Sequence, residues 1–135
     1  MADAESASST NLDTTLYHNP NCSKSRSALE LLTRLSAEQN FDLEVVEYLN
    51  APLDRDTLER LLTKLPNAPT DMVRRDKNFK ALGLDAANYQ STTQVIELLL
   101  EHPQLMQRPV AIVGTKAVTK AAIGRPPEDL LELYS

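Results

Sequence analysis

Basic charge, cysteine and long apolar runs are all scarce in this 135-residue sequence, and each scarcity excludes something. Fourteen Lys and Arg stand against nineteen Asp and Glu, a formal net charge of −5. No general attraction to nucleic acid or to an anionic membrane is therefore expected, and any anion site must be a local arrangement. The one cysteine, Cys22, excludes an intramolecular disulfide framework and a multi-cysteine zinc site, so no metal centre is expected. An unpaired thiol is commoner in reducing compartments. The longest apolar stretches, such as Val95-Ile96 with Leu98-Leu99-Leu100, fall far short of the roughly 18 to 20 residues of a bilayer span. Residues 1–13 lack the basic and apolar segments of a signal peptide and read as a solvated, disordered tail. These features make the cytoplasm the expected location and residues 14–135 a single soluble domain.

What is present has a clear order. Thr14-Thr15-Leu16-Tyr17 is a β-prone run that stops at the turn formers His18-Asn19-Pro20-Asn21. From Ser23, apolar Ala28, Leu29, Leu31, Leu32 and Leu35 recur at helical spacing over about four turns. Leu43 to Tyr48 reads as a second strand, completing a βαβ unit with parallel strands. Asp54 is a candidate N-cap for a helix through Leu58, Leu61, Leu62 and Leu65. Thr70 to Leu84 suggests short helices split by a turn, and Thr92 to Glu101 a mostly buried helix ended by His102-Pro103. Pro109 to Val113 and Lys116 to Lys120, around Gly114-Thr115, read as an antiparallel hairpin, and Glu128 to Tyr134 as a short proline-started helix. The economical architecture is α/β, a four-stranded mixed sheet flanked by helices with an inserted helical region.

Cys22 follows a strand and turn and directly precedes a helix, where backbone N–H groups and the helix dipole favour negative charge and lower a thiol pKa. Lys24 and Arg26 in the first turn, and His18 in the loop, add donors for a thiolate. The same N–H groups can cradle a small oxyanion. Arg74, Arg108 and Arg125 stand near element ends with the fork geometry such an ion favours. Ser25 makes the segment Cys-x-x-Ser where dithiol oxidoreductases have Cys-x-x-Cys, so a resolving thiol must come from elsewhere. A phosphatase-type loop needs five residues between cysteine and arginine; Cys22 to Arg26 encloses three.

The run Leu16-Tyr17-His18-Asn19-Pro20-Asn21-Cys22-Ser23-Lys24-Ser25-Arg26 resembles the active-site segment of the glutaredoxin-linked arsenate reductase (ArsC) family. The resemblance continues through Tyr48-Leu49-Asn50-Ala51-Pro52, Met72-Val73-Arg74, Leu82-Gly83-Leu84, the run His102 to Pro109 and Gly124-Arg125-Pro126-Pro127. It implies a thioredoxin-like fold with a cis proline at Pro109. It implies that Cys22 is the nucleophile that attacks arsenate, with His18 helping to hold the thiolate. Arg74, Arg108 and Arg125 match the family's oxyanion-binding arginines, with Arg26 and Ser25 as further substrate-binding candidates. No bound cofactor is implied: glutathione is the reductant and glutaredoxin the protein partner. Two departures stand out. Arg74 to Phe79 is one residue shorter than is usual, with Arg75 beside Arg74 as an alternative anion ligand, and Ser23-Lys24-Ser25 replaces the commoner Gly-Thr-Ser, which could alter substrate preference. The competing readings are a thiol oxidoreductase of the same fold with another substrate, and a Spx-like regulator that binds RNA polymerase. Spx-type sensors usually carry Cys-x-x-Cys, whereas Cys22 stands alone.

Overall fold

A computed structural model describes residues 12–114 and 119–134. The expected tail, residues 1–13, lies outside these except for Leu12 and Asp13, and so do Thr115 to Val118 of the hairpin. The chain divides into two compact units, one built from Met1–Glu47 with Arg108–Ser135, the other from Tyr48–Gln107.

The first unit holds a four-stranded sheet of order β2-β1-β3-β4. Strand β1, Thr14–His18, is central and almost wholly buried. It pairs in parallel with β2, Leu43–Glu47, and antiparallel with β3, Val110–Gly114. Strand β4, Thr119–Ile123, closes the other edge against β3. The second hairpin strand therefore runs on to Ile123, past the expected end at Lys120. Ala121 is its buried residue, and small side chains give little alternation from which to read that extension.

Helix α1, Ser23–Gln39, is longer than the expected four turns. Ser36-Ala37-Glu38-Gln39 adds no apolar stripe but consists of tolerable helix formers. Asn40 ends the helix with φ 63° and ψ 51°, and the N–H groups of Asn40 and Phe41 both reach the Ser36 carbonyl, at 2.8 and 3.2 Å. Asparagine enters that left-handed conformation at lower cost than most residues. Ala28 and Leu32 of α1 join Leu16, Ala111 and Val113 of the sheet in one buried cluster, together with Leu130 and Leu133. The last two lie on a 3₁₀ segment, Pro127–Tyr134, where a helix was expected. Its terminal Tyr134 stacks on Phe41 with ring centroids 5.2 Å apart and shares a 2.6 Å hydroxyl bond with Thr14.

The second unit is the inserted helical region. Helix α2, Arg55–Lys64, starts at Asp54, whose carboxylate accepts the Thr57 N–H. Helix α3, Lys77–Ala81, is capped by Asp76, and α4, Thr92–Glu101, by a reciprocal Ser91/Gln94 capping box. Single 3₁₀ turns at Pro69–Met72, Ala86–Asn88 and Pro103–Leu105 join them. Leu58, Leu61, Met72, Val95, Ile96, Leu99 and Leu105 are buried here, and Phe79 meets Tyr89 edge to face. Among the described residues no helix is long and apolar enough to cross a membrane.

In the first unit, the strand-to-3₁₀ junction is tight. A Cβ added at Gly124 would stand 2.9 Å from Pro109 Cγ and 3.0 Å from Leu130, while its N–H donates to the Pro109 carbonyl at 2.8 Å. Gly124→Ala should therefore overpack this junction and cost about 1–3 kcal/mol. Chemical denaturation reads this directly, and an unchanged midpoint would show that the junction yields freely.

Candidate active site

The site grows from the turn between β1 and α1. His18 is the last residue of β1 and not part of the loop, so it is fixed by the ladder and sits in register with Glu47 of β2. The chain then reverses: the Cys22 N–H donates to the Asn19 carbonyl at 3.0 Å. Pro20, second in that four-residue turn, presets its φ. The Arg26 guanidinium donates to the Pro20 carbonyl at 2.8 Å. Cys22 is the N-cap of α1, with extended backbone at φ −104° and ψ 124°, and its carbonyl accepts the Arg26 N–H at 3.0 Å.

Cys22 is partly exposed, and its thiol is lowered from 9.0 to about 7. Partial burial acts the other way, pushing it up. The backbone N–H groups of Ser25 and Lys24, the Ser25 hydroxyl and the Arg108 side chain outweigh that push by hydrogen-bonding the anion. The Cys22 side chain makes no N-cap hydrogen bond. Ser25 is fully buried beneath it.

His18 is 4% exposed, and its Nδ1 has no hydrogen-bond partner in the structure. Burial pulls its pKa below 6.5, with Arg26 acting in the same direction and Glu47 and the Ser25 backbone opposing. Burial therefore favours the uncharged ring.

Two of the expected arginines come together. The Arg108 side chain helps to lower the Cys22 thiol, and the Arg125 guanidinium donates to the Arg108 carbonyl at 3.0 Å. The Arg108–Pro109 and Arg125–Pro126 peptides are both cis. Arg26 spends one nitrogen on the loop carbonyl. Arg74 belongs to the helical unit, where its N–H donates to the Leu105 carbonyl at 2.7 Å and its guanidinium reaches Asp76 at 3.4 Å. Arg74 is half-buried and Arg75 exposed. Asn19, read from the sequence only as a turn former, is buried in the loop; asparagine placed directly before proline was its signal. Among the described residues no three of His, Cys, Asp and Glu gather to hold a metal.

Such an arrangement can present an anionic sulfur beside a guanidinium, which suits nucleophilic attack on a small oxyanion. The ArsC family model matches residues 17–133. The chain is 41% identical over 120 residues to the uncharacterised protein YfgD of Escherichia coli K12, covering 87% of this chain and 93% of that one. It is 38% identical over 117 residues to an arsenate reductase of Neisseria meningitidis serogroup A, covering 85% of this chain and 92% of that one. The solved structure of an arsenate reductase from Vibrio cholerae superposes with a TM-score of 0.74 at 33% identity, covering 92% of this chain and 99% of that one.

Because the thiol sits near 7 when folded and 9.0 when free, iodoacetamide should alkylate Cys22 with an inflection close to neutrality. The sign follows from the lowered value: the thiolate's contribution to folding is complete above pH 9 and is lost as pH falls through about 7. An alkylation profile that inflects where free cysteine does would refute the assignment.

Proposed function

This chain belongs to the ArsC family, and on that premise we propose that it reduces arsenate to arsenite with glutathione and glutaredoxin, through Cys22 alone. The observation that carries the reading is the chain's one cysteine, placed as the N-cap of α1 with its thiol lowered to about 7 by Ser25, Lys24 and Arg108. A lone thiolate can open the reaction but cannot form an intramolecular disulfide, so the second thiol is external.

In the first step the Cys22 thiolate attacks arsenic(V); a sulfur–arsenic bond forms and one arsenate oxygen leaves as water. Arg108 and Arg125 hold the oxyanion while charge moves onto its oxygens. In the second step the glutathione thiolate attacks the Cys22 sulfur. A disulfide forms, the sulfur–arsenic bond breaks with its electron pair left on arsenic, and arsenic(III) departs as arsenite. Glutaredoxin then attacks the glutathione sulfur of the mixed disulfide and returns Cys22 as thiolate. The two electrons that reduce arsenic come from the two sulfurs joined in that disulfide. A free catalytic thiol of this kind fits a reducing, cytoplasmic setting.

Wild-type protein should turn over arsenate in an assay coupled to glutathione, glutaredoxin and an NADPH-dependent glutathione reductase, and Cys22→Ser should not. Activity supported equally by thioredoxin without glutathione would overturn the proposed reductant, and no arsenate turnover at all would overturn the substrate. In the same assay Arg108→Ala and Arg125→Ala should each lower kcat/KM by about 10- to 100-fold, the loss of a hydrogen bond to a charged group. The family pattern adds Arg74 to this set; Arg74→Ala should raise the KM for arsenate while Arg75→Ala leaves it in place, and the reverse result would move the assignment to Arg75.

A further inference from the structure

Asn19 is 6% exposed, and three of its polar groups are committed to the loop that carries the nucleophile. Its side-chain Oδ1 accepts the Asn21 N–H at 3.0 Å, which makes an Asx-turn. Its carbonyl accepts the Cys22 N–H at 3.0 Å. Its own N–H donates to Ser25 Oγ at 3.3 Å. Ser25 is 0% exposed, three residues from Cys22 in the same opening turn, and its hydroxyl is among the groups that lower the Cys22 thiol. A hydroxyl that accepts from a fixed N–H has its own proton directed elsewhere, and the donor strengthens the bond that proton makes.

We propose that Asn19 is a positioning residue for the Cys22 sulfur, acting through Ser25: the turn locked by its side chain aims the Ser25 hydroxyl at Sγ. Without Oδ1 the turn loses its side-chain brace, the Asn19 N–H drifts from Ser25, and the hydroxyl is free to rotate away. Pro20 and the Arg26 bond to its carbonyl hold the far side of the turn, so the loop persists while the aim is lost. Besides Ser25, the Arg108 side chain and the Lys24 backbone N–H act on the Cys22 thiol, while Glu47 and Arg26 act on neighbouring His18. None of them is altered by changing Asn19.

The inference rests on Cys22 acting as a thiolate and not on which oxyanion it meets, so the test uses iodoacetamide alkylation against pH and needs no arsenate. Asn19→Ala, Ser25→Ala and the double variant form a cycle, with far-UV circular dichroism and the thermal midpoint recorded for each. Each single change should raise the inflection by about one unit, a tenfold smaller thiolate fraction at acidic pH. The double variant should shift little further than Ser25→Ala, because both act on one bond. Asn19→Ser, which keeps a weaker acceptor at the turn, should recover part of the shift, and it carries the same cycle if Asn19→Ala does not fold. An unmoved inflection in the Asn19 variants, or strictly additive shifts, would overturn the role of Asn19. A wild-type inflection at the free-thiol value would overturn the thiolate reading itself.

Discussion

A partly buried sulfur has its thiol lowered to about 7, and the balance behind that value depends on the whole first unit. Burial alone would push the Cys22 thiol up, and the fold answers with four donors: two backbone N–H groups, the Ser25 hydroxyl and the Arg108 side chain. Each donor needs a fixed origin. The N–H groups come from the opening turn of α1, whose Ala28 and Leu32 are anchored under the sheet. Ser25 is fully buried in that same turn. Arg108 is set at the entry to β3, with Arg125 holding its carbonyl. The central position of β1, paired on both sides, is what brings α1 and the start of β3 to the same end of the sheet.

Much of this was legible in the residues. Turn formers between a β-prone run and an amphipathic stretch place Cys22 at a helix start, and the strand–helix–strand order followed by a hairpin gives the mixed sheet. The family pattern adds the arginines and the cis bond at Pro109, which the structure contains. The misses have physical causes. His18 joins β1 because Glu47 opposite it on β2 continues the parallel pairing that composition alone would end at Tyr17. The C-terminal segment is 3₁₀ over Pro127–Tyr134, a choice made by seating Leu130 and Leu133 in the core, which local propensity does not encode. Tertiary partners of polar side chains are hidden for the same reason. Nothing in spacing says that Arg26 turns to the Pro20 carbonyl, or that Arg125 meets the Arg108 carbonyl seventeen residues away.

Burial sets the charge that His18 favours. A histidine near a cysteine suggests an imidazolium paired with a thiolate. Here the ring is buried, Arg26 opposes its protonation, and the nearby carboxylate of Glu47 does not compensate. Burial, the largest of these effects, favours the uncharged ring over the imidazolium.

Helices α1 and α2 treat their dipoles differently. Helix α2 follows the usual rule, with Asp56 in its first turn and Lys64 in its last. Helix α1 has no acid in its first turn and no base in its last; its opening turn carries Lys24 and Arg26 instead. For a neutral thiol this is an unfavourable helix start, with positive side chains added to a positive dipole end and no close cap bond. Once Cys22 ionises, the sulfur supplies the missing negative charge, and the same arrangement becomes favourable. Helix α1 is thus best capped when the nucleophile is charged, so helix stability and thiolate formation are two faces of one equilibrium. In a chain of net charge −5, Lys24 and Arg26 of this turn stand where a thiolate offsets them.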